Sequence, residues 1–206
     1  MLGSKVLFRS IFAACFVMCI TACGGSGKQT VDSAPSARSR SQVVLRDADS
    51  HKAVERFCEL YKEAADAPTF TAPQLDGALS ASGKGWTWYS LWATWCGPCI
   101  EELPLLHSFS ERLNKAGAPV QVRHISVDSE PQDLAKFRTE HTTAPSGPRL
   151  KSQESLEPWL AGFGLDAGAS IPIHMFVDPN GGLRCVRVGA VTEPDYGAVS
   201  TLLRGE

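Results

Sequence analysis

The stretch Leu91-Trp92-Ala93-Thr94-Trp95-Cys96-Gly97-Pro98-Cys99 decides how this chain folds. Two cysteines three positions apart fit one face of a first helical turn, close enough to form a small disulfide or to act as two metal thiolates. Spacing alone does not choose between them. Upstream, Trp86-Thr87-Trp88-Tyr89-Ser90-Leu91-Trp92 is aromatic and β-branched, the composition of a strand. Downstream, Ile100-Glu101-Glu102-Leu103-Pro104-Leu105-Leu106 reads as a helix that runs through Lys115 and ends at Gly117. Cys96 therefore falls at a helix N-terminus, where unpaired N–H groups and the macrodipole favour its thiolate. Pro98 sits in the first turn, where its missing N–H costs little. This placement makes a nucleophile of Cys96 and a resolving thiol of Cys99. Zinc wants four ligands, and none of His51, His107, His124, His141 or His174 has a partner at ligand spacing, which argues against a metal.

Working outward, Val120 to Val127 alternates like a strand, Glu130 to Glu140 reads helical, and a second helical piece lies near Leu156 to Phe163. Ile173-His174-Met175-Phe176-Val177 is an apolar strand. Asp178-Pro179-Asn180-Gly181 is a hairpin signal, so Leu183 to Val188 should return antiparallel to it, with Leu183 and Cys185 on one face and Val186 and Val188 turned away. Asp195 to Leu203 is weakly helical. On the N-terminal side, Asp49-Ser50 is a plausible N-cap, and Val54, Phe57, Cys58 and Tyr61 follow the spacing of one helical face. Strands alternating with helices and finishing in a hairpin predict an α/β fold with a mixed sheet.

The chain has 206 residues, a one-domain length, and 20 basic against 22 acidic side chains give it a net charge of -2. No basic field exists to condense on phosphates, which excludes nucleic acid as a partner. Seven cysteines are many for a cytosolic chain without a metal or redox reason. The first 22 residues carry Lys5 and Arg9, then an apolar run from Ile11 to Ile20 that is shorter than the roughly 20 residues a bilayer span needs. They read as a secretory signal whose removal takes Cys15 and Cys19 with it. Residues 23–48 are rich in Gly, Ser, Ala and Gln and read as a flexible tether, 49–67 as a helical extension, and 68–206 as the main domain.

Two resemblances give these segments a function. Ile20-Thr21-Ala22-Cys23 resembles a bacterial lipoprotein signal, which implies acylation of Cys23 and a lipid anchor in the bilayer. The stretch from Leu91 to Cys99, with Glu102 and Pro104 downstream, resembles the thioredoxin fold of TlpA/ResA-type membrane-anchored thiol-disulfide oxidoreductases, over roughly residue 68 to the C-terminus. The likeness implies a central mixed sheet flanked by helices, with the helical extension in front of it. Pro104 matches the family's kink proline, and Ile171-Pro172 matches the loop whose proline is cis and whose preceding backbone pairs with the client as an added strand. Trp95, Gly97 and Pro98 complete the implied docking surface with Ile171 and Pro172.

Glu102 lies three residues after Cys99 and shares its helix face, whereas Glu101 points elsewhere. The resemblance supports Glu102 as acceptor of the Cys99 proton; the competing reading is a solvated glutamate that favours an early helical turn. Two departures stand out. Ser90 occupies the place of the buried acid of cytosolic thioredoxins, and His174 stands where relatives carry a small hydroxyl or apolar residue. His174 reads as a core histidine rather than a group that titrates beside the dithiol. The five tryptophans read mainly as packing.

Cys58 and Cys185 admit a staple between the extension and the sheet, two separate buried thiols, or a pairing with the active site; the staple is the reading we carry forward. The expected protein is a lipid-anchored, cell-envelope thiol-disulfide oxidoreductase without metal or organic cofactor. The family implies reduction of envelope clients, such as apocytochrome c, and recharging by a membrane electron donor. A copper-handling lipoprotein of the same fold is the rival reading, because soft thiolates suit Cu(I).

Overall fold

A helix over residues 48–57 (α1) leads into a two-residue strand, Leu60–Tyr61 (β1), and a second short strand follows at Leu75–Asp76 (β2). Then come Trp86–Trp92 (β3), Gly97–Lys115 (α2), Val120–Ser126 (β4), Pro131–Glu140 (α3), Arg149–Leu150 (β5), Leu156–Ala161 (α4), Ile173–Val177 (β6), Leu183–Val188 (β7) and Tyr196–Arg204 (α5). This is a computed structural model, and it describes residues 48–79, 84–166 and 168–205. The expected signal segment, Cys23 and the tether up to residue 47 lie outside the described residues. Among the described residues no helix is long and apolar enough to cross a membrane.

The strands form one seven-stranded mixed sheet in the order β1-β7-β6-β3-β4-β5-β2. β3 runs parallel to β4 and antiparallel to β6, and all seven of its residues are buried, as its central place requires. One sheet face carries Trp86, Trp88, Val120 and Phe176 against Leu106, Phe109 and Leu113 of α2, Val199 and Leu202 of α5, and Val54 and Phe57 of α1. The other gathers Tyr89, Leu91, Ile125, Ile173 and Met175 with Leu134 of α3 and Leu160 of α4. The architecture is the thioredoxin fold. Pro104 lies inside α2, where its ring removes one helical hydrogen bond. Gly147 has φ +139, and a Cβ there would meet the His124 carbonyl at 2.1 Å, so only glycine lets this loop pass beside β4.

Two local expectations fail for identifiable reasons. Tyr61 does not continue the face of α1. The helix ends at residue 57, and Leu60 and Tyr61 pair with Val186 and Cys185 of β7, so sheet pairing overrides the helical spacing. Leu183 and Cys185 do not share a face either. The β6–β7 register shifts between Phe176 and Val177, so that Cys185 opposes Phe176 while Leu183 opposes Val177. The extra residue, Arg184, sends Leu183 into one core and Cys185 into the other.

Candidate active site

Cys96 is the N-cap of α2, with extended backbone (φ -89, ψ 96), and its sulfur accepts a hydrogen bond from the Cys99 N–H at 3.3 Å. A free amide of the first helical turn is thus aimed at Sγ, the arrangement that favours a thiolate once the pair is reduced. In the structure Cys96 and Cys99 are joined as a disulfide. Access is one-sided: Cys96 keeps 5% of its surface and Cys99 none. Next to them Trp95 is 69% exposed, the exposed large apolar side chain among the described residues, and Gly97 and Pro98 are exposed too.

The loop before β6 closes the other side. The Ile171–Pro172 bond is cis, and the Ile171 carbonyl lies 3.9 Å from Cys96 Sγ. The structure thus brings Trp95, Cys96, Gly97, Pro98, Cys99, Ile171 and Pro172 to one place. Cys58 and Cys185 are elsewhere, bonded to each other across 127 residues of sequence.

Glu102 is buried, 4% exposed, one turn beyond Cys99 on the inner face of α2. It is not the solvated glutamate of the competing reading. Its Oε2 accepts the Val191 N–H at 2.8 Å, and its Oε1 lies 3.2 Å from His174 Nε2. His174 is buried, as a core histidine should be. Its Nδ1 accepts the Trp88 Nε1–H at 3.1 Å, so it is tied to the acid of the site as well as to the core. Trp86, Trp88 and Trp92 are buried packing, and Trp159 donates its Nε1–H to the Thr71 carbonyl.

One residue of this neighbourhood escaped sequence reasoning. Asp128, buried just past the end of β4, accepts the Thr94 N–H at 3.1 Å and the Thr94 and Ser126 hydroxyls at 2.7 Å each. It therefore clamps the loop two residues before Cys96. A carboxylate just beyond the carboxyl end of an inner strand is the available signal, because sites in open α/β sheets gather there.

His124, paired in register with Ser90, is pushed down to about 4 by burial first and by His174 second. It is therefore neutral at neutral pH.

No family model matches the chain. The thiol-disulfide oxidoreductase ResA of Oceanobacillus iheyensis is 25% identical over 142 residues, which cover 65% of this chain and 69% of that protein. ResA of Bacillus thuringiensis is 28% identical over 74 residues, 34% of this chain and 40% of that protein. A secreted thiol-disulfide isomerase of Corynebacterium glutamicum superposes with a TM-score of 0.51 at 21% identity, over 71% of this chain and 92% of that one. A thiol:disulfide interchange protein DsbE of Chlorobium tepidum does so with a TM-score of 0.50 at 20% identity, over 68% and 93%. The two superpositions speak for the fold, and the kinship with ResA for the lineage. The dithiol, the thioredoxin fold and the similarity to ResA together support a thioredoxin-like thiol-disulfide oxidoreductase of the TlpA/ResA type.

Proposed function

We propose that the chain reduces disulfides of cell-envelope proteins while held at a membrane by acylated Cys23. The observation that carries the reaction is the asymmetry of the pair: one accessible sulfur at a helix N-terminus, one buried sulfur behind it, and a buried carboxylate one turn further on. The Cys96 thiolate attacks one sulfur of a client disulfide and expels the other as a thiolate, leaving a mixed disulfide. Cys99 then gives its proton to Glu102 and attacks Cys96 Sγ. The client departs with both sulfurs reduced, and the Cys96–Cys99 bond holds the two electrons' worth of oxidation. A membrane electron donor must return that pair of electrons before the next cycle.

Docking falls to Trp95, Gly97, Pro98, Ile171 and Pro172. The Ile171 carbonyl, beside the attacked sulfur, is the backbone group an extended client segment would meet. Cys23 and the tether supply the anchor and the reach. Apocytochrome c is the client class implied by the resemblance of the Leu91–Cys99 stretch to the TlpA/ResA type.

The test is a disulfide-reduction assay with a regenerating thiol, run beside a copper titration. Turnover with no stoichiometric copper binding supports the reading; copper binding without turnover overturns it in favour of the copper carrier. Glu102→Gln should slow resolution of the mixed disulfide at pH 7 by about 100-fold, the ordinary scale of a general base. An unchanged rate across pH removes Glu102 from the mechanism.

A further inference from the structure

The sheet face covered by α2 carries a row of polar side chains among its apolar ones. Ser90 on β3 is in register with His124 on β4 and His174 on β6, and His174 in turn with Arg187 on β7. Directly opposed residues of neighbouring strands share a face, so a serine, two histidines and an arginine cross the sheet side by side. Glu102 descends onto this row from α2 and meets His174.

The tautomer of His174 follows from its neighbours. An indole N–H only donates, so the Nδ1 that receives Trp88 Nε1–H must be the unprotonated nitrogen. The ring's proton is then on Nε2, 3.2 Å from Glu102 Oε1. The two atoms are out of line for a good hydrogen bond, and each is buried without another hydrogen-bonding partner. A small rotation of either side chain completes the pair, and burial of two otherwise unmet polar atoms favours that rotation. With Val191 N–H on Oε2, the carboxylate then holds one donor on each oxygen.

We infer that His174 is a positioning residue for Glu102: an imidazole, locked by Trp88 with a proton on Nε2, that aims the carboxylate to take the proton of Cys99. This rests on the reading of Glu102 as the base. It also says where the proton does not go. The one lone pair of His174 is occupied by Trp88, so the proton leaving Cys99 ends on the carboxylate and not on the imidazole. Of the charged and titratable groups facing His174, Arg187 comes from β7, His124 from β4 is uncharged above about pH 4, Trp88 and Ser90 of β3 carry no charge, and Glu102 of α2 lies against Nε2.

Two measurements on the full chain test it. Nitrogen-15 spectra of the His174 ring in the wild-type protein at pH 7 should show the proton on Nε2 and none on Nδ1. A proton on Nδ1 overturns the inference whatever the variants do. In stopped-flow resolution of the mixed disulfide, His174→Leu removes a donor to the carboxylate. The acid-side fall in rate should then move to higher pH, because the charged carboxylate has lost a hydrogen bond. His174→Gln, which keeps an N–H on that side, should restore most of the wild-type curve. Glu102→Gln should remove the acid-side fall, and adding His174→Leu to it should slow resolution no further. A Glu102→Gln curve like the wild type defeats the base assignment itself. A flattened Glu102→Gln curve beside an unmoved His174→Leu curve defeats only the role of His174.

Discussion

The described residues hold two disulfides whose surroundings could hardly differ more. Cys58–Cys185 ties the end of α1 to the sheet across 127 residues, inside an apolar core that includes Phe57, Trp88 and Phe176. Cys96–Cys99 closes three residues at the start of a helix, with an amide on one sulfur, a backbone carbonyl nearby, a buried acid behind and an exposed tryptophan in front. The lesson is that a cysteine pair takes its role from what it constrains and from what stabilises its thiolate. Cross-linking residues 127 apart removes much freedom from the unfolded chain, and apolar walls raise the cost of ionising either thiol. Cross-linking residues three apart removes almost none, and a helix N-terminus lowers the cost of ionising.

The largest expected difference between the two pairs is in turnover. Cys96→Ser should reduce disulfide-reduction activity by at least about 1,000-fold, the scale on which enzymes lose rate with their nucleophile. Cys58→Ala with Cys185→Ala should leave it within about twofold at 25 °C, where the folded state still dominates. Equal loss in the folded double variant would break the comparison, because it would mean that electrons pass between the pairs.

Stability should show the reverse. In the chain-entropy account a bridge of this span contributes about 5 kcal/mol, and native bridges removed from small domains typically cost 2–5. We expect about 3 kcal/mol for the Cys58→Ala, Cys185→Ala protein, a fall in Tm of about 6–12 °C at this chain length. Reducing Cys96–Cys99 in the wild type should move Tm far less. Mass mapping without reductant checks the pairing first: finding Cys58 and Cys185 both free in native protein would refute the staple.

How far this contrast was legible beforehand depends on which link of the chain carried it. The stretch from Trp86 to Trp92 announced β3 to the residue, because its composition and its burial on both faces agree. The hairpin at Asp178 to Gly181 was legible from turn chemistry alone. Three two-residue strands, β1, β2 and β5, were not, since two residues have no periodicity to read. The bulge at Arg184 was invisible for a related reason: alternation presumes a register that only the partner strand sets. At the site, i to i+3 spacing brought Glu102 beneath Cys99, but its contact with His174 joins residues 72 positions apart and needs α2 to lie over β6.

The two ends of the comparison should also respond differently to acid. His124, under the dithiol half of the sheet, is pushed down to about 4 from the ordinary 6.5. The unfolded chain therefore binds a proton in a range where the native state does not, and stability falls as pH drops from about 6.5 to about 4. At pH 5 the loss relative to pH 7.5 should be about 2 kcal/mol from this group. His124→Gln should flatten that part of the curve in urea unfolding, whereas the Cys58→Ala, Cys185→Ala protein should follow the wild-type slope at a constant offset. A slope unchanged in His124→Gln would remove the assignment.

The smallest expected effect isolates the frame of the dithiol from its chemistry. Thr94→Val keeps shape and removes one hydroxyl, the 2.7 Å donor to Asp128, while the Thr94 N–H and the Ser126 hydroxyl remain on that carboxylate. A hydrogen bond to a charged group is worth about 1.5–3 kcal/mol, and Thr94 is only half-buried, so the lower figure applies. Tm should fall by about 3–6 °C. If the clamp only holds the loop before Cys96, exchange at 25 °C should change less than about threefold, since Cys96 keeps its amide donor and its place at the helix start. A loss of exchange as large as that of Glu102→Gln would instead make Asp128 a participant in proton transfer, and the acid behind this dithiol would then be two carboxylates rather than one.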